Sequence, residues 1–356
     1  MTQVEFLPGI TQRRVVTGRL EIASLETGPS AGVPIVLVHG NISSSWFFQE
    51  LMLALANEGG FKVYAPDMRG YGDTQTQPVD ATRGVRDFSD DLASFVQELG
   101  LTSFHLLGWS LGGNIVLQYT QDYPETVRSL ALQAPGSPYG FGGTHGPDGQ
   151  LNYPDGAGCG GGGVNPDFRQ RIKEGDRSAD APTSPRNIMN SFYFKPPFKV
   201  SPELEEVYVS AMLSTKEGDQ NWPGDLAPSE NWPNVAPGPN GVNNTLAPTY
   251  LNQSGIVDIS PKPDILWYRG DSDQIVSDNS LFDFGVLGQL GAVPGWPGEE
   301  VFPAQPMIGQ MRALLEKYQA NGGQYHEEVL ADCGHTPHLE KAGEVTRLLL
   351  DFFKAH

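Results

Sequence analysis

The segment Gly108-Trp109-Ser110-Leu111-Gly112 sets a serine among small residues. Ahead of it, SFHLLGW is a short apolar run of the kind that forms a buried strand. Behind it, LGGNIVLQYTQDYP has helical spacing and begins at once. A serine in that context sits on a sharp strand-to-helix turn. Gly108, Gly112 and Gly113 let the backbone pass close to its neighbours there. The start of the helix aims unpaired N–H groups outward, where they can steady a developing negative charge. The chemistry such a turn serves is attack by a hydroxyl on an electrophilic carbon.

A serine hydroxyl is a weak nucleophile and needs a base to take its proton. Seven histidines are available, at positions 39, 105, 145, 326, 335, 338 and 356. His335 closes the run Asp332-Cys333-Gly334-His335, directly after the last predicted strand, and is the candidate base. His338 is its competitor. His39 ends a central strand and His105 faces the core from another, so both read as structural. The base needs a carboxylate to hold its tautomer and stabilise the imidazolium. GDSDQIV follows the strand DILWYR and offers Asp271 and Asp273, with Asp278 a third candidate. The preceding strand, SLALQAP, ends in Ala134 and Pro135 and offers none. The oxyanion of a tetrahedral intermediate needs backbone donors. The N–H of Leu111 is one candidate, and that of Asn41, in the loop after VPIVLVHG, is the other. Trp109 and Trp46 flank these positions as candidate walls of a substrate pocket, with core packing as the competing role of each.

The elements that must position these residues are legible as alternating textures. RRVVTGRLEIASLETG reads as an antiparallel hairpin, and VPIVLVHG as a buried central strand. WFFQELMLALANEG and FSDDLASFVQELG read as helices, the second opened by Ser89 as cap. FKVYAPD, SFHLLGW, DILWYRG and QYHEEVL complete the strands. A helix is expected from Met307 to Asn321, and EVTRLLLDFFKA closes the chain as another. Strands alternating with helices predict an α/β fold with a mostly parallel sheet and helices on both faces. The core is expected over residues 1–135 and 261–356, with residues 136–260 as a loop-rich lid insertion over the strand ends. Within it, SPELEEVYVSAML predicts a helix capped by Ser201, and the glycine run from Gly156 to Gly163 is expected to be the loosest part.

The chain has 356 residues, 38% of them hydrophobic, enough to bury a core unaided. Acidic residues outnumber basic ones 42 to 23, for a net charge of −19. That field repels phosphate backbones and argues against nucleic-acid binding. It also points to an uncharged, partly apolar small-molecule substrate. Two cysteines, Cys159 and Cys333, make no disulfide framework and no metal-ligand spacing. The expected chemistry needs no cofactor. The opening MTQVEFLPGITQRRV lacks a long apolar run, and no stretch is apolar enough for a membrane span, so a cytoplasmic location is expected.

VHGNISSSW, DMRGYGD, GWSLGG, GDSDQIV and CGHTPHLE, in this order, resemble the motifs of the α/β-hydrolase superfamily. The resemblance runs from about residue 33 to the C-terminus apart from the insertion. It implies the fold of that family and a Ser–Asp–His triad. In relatives the acid stands three positions after the glycine, which selects Asp273 over Asp271, and the Gly-His pair selects His335. The activity implied is ester or lactone hydrolysis of the carboxylesterase kind. Carbon–carbon bond hydrolases, cofactor-free perhydrolases or haloperoxidases, and ligand receptors with a retained site are the alternatives. Haloalkane dehalogenases and epoxide hydrolases use an aspartate where this chain has Ser110. Two stretches depart from the family: the Gly- and Asn-rich insertion, and the long connection from Asn279 to Pro306.

Overall fold

Runs of β-branched and aromatic residues too short for helices become the strands of one sheet. In the structure, a computed structural model that describes residues 5–356, these are β1 (Thr11–Val16), β2 (Glu21–Thr27), β3 (Pro34–Val38), β4 (Lys62–Pro66), β5 (Phe104–Trp109), β6 (Val127–Gln133), β7 (Asp264–Gly270) and β8 (Tyr325–Leu330). Their order is β1-β2-β4-β3-β5-β6-β7-β8. β2 pairs antiparallel with both of its neighbours, and every other pairing is parallel. The α/β class and the mostly parallel sheet are as the sequence predicts. β1 and β8 are the open edges.

The longer helices are α1 (Gln49–Gly59), α2 (Arg86–Glu98), α3 (Leu111–Asp122), α4 (Pro166–Glu174), α5 (Pro202–Leu213), α6 (Met307–Ala320) and α7 (Ala342–Ala355). Successive strand residues point to opposite faces of a sheet. Phe104 meets Tyr119 of α3, whereas His105 meets Phe353 of α7. Those two helices therefore cover opposite faces. α2 packs beside α3 and α1 beside α7, so both faces are closed. β5 is buried along its whole length, as a strand between two helical layers must be. Among the described residues no helix is long and apolar enough to cross a membrane.

One expected cap is displaced. α2 begins at Arg86, a turn earlier than Ser89, which lies buried inside the helix. The first turn gains Asp87 instead, whose charge suits the positive end of the helix dipole and whose Oδ2 accepts the Asp80 N–H at 2.9 Å. Ser201 does cap α5, accepting from Leu204 N at 3.3 Å.

The insertion leaves the sheet after β6 and returns at β7. The first half of its glycine run is packed, unlike the loose loop expected. Gly156, Ala157, Gly158 and Cys159 are buried, and Gly158 N donates to Val235 O at 2.9 Å. The physical reason is close approach. A β-carbon on Gly158 would fall 2.6 Å from the Phe302 ring, and one on Gly160 would fall 2.2 Å from Asn244 Oδ1. The insertion's aromatic residues divide between two supports. Tyr193, Phe194 and Trp222 are buried. Phe192 stacks edgewise on Phe282, and Trp232 on Phe302 and Phe284. The long connection from Asn279 to Pro306 thus packs on the insertion.

Candidate active site

The sheet delivers each candidate residue from a carboxyl end: Asn41 after β3, Ser110 after β5, Asp273 after β7 and His335 after β8. Ser110 has φ 57° and ψ −123°, a backbone conformation that few side-chain-bearing residues adopt and that marks a strained turn. The turn is pinned on both sides. Ser110 N donates to Gln133 O of β6 at 2.9 Å, and Gly113 N donates back to Ser110 O at 2.8 Å. The flanking glycines are needed for contact. A β-carbon on Gly112 would lie 2.2 Å from Val38 O, and one on Gly108 would lie 2.3 Å from Gly112 O. The start of α3 therefore rests directly on the end of β3, the strand that leads to Asn41. Among the described residues, neither the Asn41 nor the Leu111 N–H donates to a protein acceptor.

His335 and Asp273 meet as the sequence requires. His335 Nδ1 and Asp273 Oδ2 are 2.7 Å apart, and both side chains are at most 3% exposed. The other carboxylate oxygen of Asp273 accepts Ile275 N at 2.8 Å and Val276 N at 3.0 Å, which fixes the plane it presents to the imidazole. The acid and base loops are tied to each other by Ser272 N donating to Cys333 O at 2.9 Å. Asp271 lies outside this pair. It is exposed, accepts from the Ser272 hydroxyl at 2.7 Å, and has its pKa held down chiefly by that bond. Asp278 is engaged with the first turn of α6, accepting Ile308 N at 2.7 Å.

Ser110 Oγ makes no hydrogen bond among the described residues. The nucleophile and base loops are joined through Trp109, whose Nε1 donates to His335 O at 2.8 Å and whose ring lies 5.7 Å from the imidazole. Contacts between nucleophile and base commonly tighten only when substrate is bound. Trp109 is 1% exposed and packs among Phe47, Phe48 and Tyr193. Trp46 is 7% exposed and meets Phe6 edgewise. The surroundings of both tryptophans are those of core packing.

The competing histidines are otherwise engaged. His338 is buried and its Nδ1 lies 2.6 Å from Gln133 Nε2, an amide donor that keeps the ring an acceptor. Burial pushes its pKa down to about 3. Its Gln133 partner accepts from Tyr268 OH at 2.8 Å. His39 accepts Met68 N on Nε2 at 2.9 Å, with its pKa lowered by burial to about 4. His105 pairs with the Ser129 hydroxyl at 2.8 Å and is likewise lowered to about 4, chiefly by burial. Among the described residues none of the three rings hydrogen-bonds to a carboxylate.

Three residues at the site escaped sequence reasoning. Tyr71 OH donates to Asn41 Oδ1 at 2.7 Å, Asn41 Nδ2 donates to Asn243 Oδ1 at 2.8 Å, and Tyr193 OH donates to Asn41 O at 2.9 Å. Tyr71 belongs to the DMRGYGD motif, which was the one available signal. Asn243 and Tyr193 carried none.

Residues 33–157 match the family described as alpha/beta hydrolase fold. The bifunctional epoxide hydrolase 2 of Sus scrofa is 31% identical over 113 residues, which are 32% of this chain and 20% of that protein. The chain spans between a fifth and about a third of the length of the curated relatives it matches. Among solved structures, a carboxylesterase from Bacillus subtilis superposes with a TM-score of 0.59 at 16% identity, covering 98% of this chain and 92% of that one. An epoxide hydrolase superposes with a TM-score of 0.60 at 18% identity, over 97% and 99% of the two chains. The chain as a whole thus has the α/β-hydrolase fold, and residues 33–157 carry the match to that family.

Proposed function

We propose that this chain is a serine hydrolase that cleaves a carboxylic ester or lactone through an acyl-enzyme. The observation that carries the reading is the buried 2.7 Å contact between His335 and Asp273, set beside a serine on a strained strand-to-helix turn. His335 Nε2 takes the Ser110 proton as Oγ bonds to the carbonyl carbon. The carbonyl oxygen gains the charge, and the N–H groups of Asn41 and Leu111 stabilise it. The imidazolium then gives the proton to the leaving alkoxide as the C–O bond breaks. Water, deprotonated by His335, attacks the acyl ester and returns Ser110 to its hydroxyl form.

Chemistry separates this reading from the epoxide hydrolases among the relatives. A carboxylate that opens an epoxide forms an ester, which water can cleave. A serine that did so would form an ether, which the same site cannot hydrolyse. The nucleophile at position 110 is a serine. The substrate is read as uncharged and partly apolar, because the net charge of −19 disfavours anions. A panel of aryl esters of rising acyl length, run beside a vinylogous diketone, tests the reaction class. Turnover of the esters with none of the diketone is the expected result, and the reverse preference would make the chain a carbon–carbon hydrolase.

We infer that residues 136–260 act as a lid over Ser110. Support comes from Tyr193 and Asn243, two insertion residues that reach the Asn41 loop. Hydrogen exchange before and after fluorophosphonate labelling tests this. New protection within the insertion is expected. Unchanged exchange there, beside a newly protected Ser110 turn, would reduce the insertion to a surface excursion.

A further inference from the structure

We propose that Tyr193 is a positioning residue that holds the oxyanion loop and the base loop in register, with Asn243 as a second anchor of the oxyanion loop. The proposal rests on the reading of Asn41 N–H as an oxyanion donor and His335 as the base.

The oxyanion loop needs holding. Ile42 has φ 47°, left-handed backbone that a β-branched residue rarely occupies and that persists only where surrounding contacts over-determine it. Five hydrogen bonds do so. Ile42 N donates to Asn41 Oδ1 at 3.0 Å. That oxygen also accepts from Tyr71 OH at 2.7 Å, and Asn41 Nδ2 is bound by Asn243 at 2.8 Å. The Tyr193 hydroxyl is shared between Asn41 O at 2.9 Å and Ile42 O at 3.1 Å. It therefore grips both carbonyls of the strained dipeptide, fixes the two peptides that follow Asn41, and so anchors the chain on the C-terminal side of the Asn41 N–H. The phenol is buried, which pushes its pKa well above the usual tyrosine range and keeps it a donor.

The main chain of the same residue holds the base. Tyr193 O accepts His335 N at 3.1 Å and the Thr336 hydroxyl at 3.0 Å. Two residues on, Glu340 locks the segment down, with Oε2 accepting both Lys195 N at 2.8 Å and Gly334 N at 2.9 Å. The ring lies edgewise to Trp109 and to His335, at 5.9 and 6.2 Å. Local geometry is arranged for this reach. Ser184 caps a short helix, Pro185–Ile188, which widens into one π turn over Met189–Tyr193, closed by Phe194 N donating to Met189 O at 3.2 Å. Such widened turns recur at functional positions.

Side chain and main chain serve different loops, so a substitution can separate them. Tyr193→Phe removes the hydroxyl and keeps the ring and the His335 N contact. With an aryl ester as substrate, kcat should fall about 10- to 100-fold, less than loss of a whole oxyanion donor. KM should stay nearly unchanged, since the lost interaction matters only in the transition state. The acid limb of the pH profile should not move, because the His335–Asp273 contact is untouched. Ile42→Gly in the same background should restore part of the loss, since glycine takes the left-handed conformation without strain. Wild-type kcat in a folded Tyr193→Phe protein overturns the inference. So does a loss that appears as raised KM or a shifted acid limb. If that variant fails to fold, Asn243→Ala decides in the same terms: lower kcat at constant KM supports the clamp, and wild-type kcat overturns it. The wild-type protein runs alongside. Absence of both ester turnover and phosphonate labelling at Ser110 would remove the hydrolase reading and this inference with it, whereas normal wild-type turnover with an inert substitution removes the inference alone.

Discussion

Ser110→Ala is expected to lower ester turnover about a million-fold and to abolish covalent labelling by a fluorophosphonate, with the fold intact. The size follows from chemistry. Without the hydroxyl no acyl-enzyme forms, and the remaining groups can only orient water near a carbonyl. The fold should survive because the turn is held by main-chain bonds, Ser110 N to Gln133 O and Gly113 N to Ser110 O, which alanine keeps. The residue must still tolerate φ 57°, which alanine does about as poorly as serine, so thermal stability should change little. Mass spectrometry of the labelled wild-type protein supplies the check. A phosphonate adduct on another residue, with Ser110 unmodified, would sink the assignment.

The second large effect is expected at Asp273. Asp273→Asn keeps the shape of the side chain, but its amide can donate to Nδ1 and so favour the imidazole tautomer that cannot accept the Ser110 proton. A fall in kcat of about ten thousand-fold is the expected magnitude. Asp271→Asn should do far less, since Asp271 is exposed and bonds to Ser272 and to the backbone of Cys333. Parallel kinetics on the two variants decide between them. If Asp271→Asn proved the more damaging, the 2.7 Å contact at His335 would have to be incidental.

The parts of the site that could be read from sequence were those whose local pattern is dictated by backbone chemistry. The serine needs glycines at both sides because α3 rests on β3, and that demand is written within five consecutive residues. The candidate base and acid follow strands and lie within three residues of a glycine for a similar reason: a β-carbon on Gly270 would lie 2.1 Å from Cys333 O. The choice between Asp271 and Asp273 was not local and came from family resemblance. What stayed hidden depends on contacts far apart in the chain. Asn41 and Asn243 are separated by 202 positions and meet through two amides that no spacing rule connects. The glycine run of the insertion misled for a related reason. Its composition fits a loose loop as well as a backbone pressed against a ring, and only Phe302 decides which. Ser89 misled because a cap is recognised by residue type, while the start of α2 was set one turn earlier, where Asp87 meets Asp80.

The two open edges of the sheet bear on how copies of this chain behave in concentrated solution. An unpaired strand is a template on which another chain can add, and β1 and β8 each expose a valine, Val16 and Val329. Both strands are also studded with charge. Arg13 and Arg14 of β1 pair with Glu26 and Glu21 on β2, and Glu327 of β8 pairs with Arg269 and Arg312. A second copy laid along either edge would have to dehydrate those ions. The negative field of the whole molecule opposes the approach as well. Edge-to-edge polymerisation is thereby discouraged by residues that take no part in catalysis, and substitutions that neutralise the rims would endanger solubility before they touched activity.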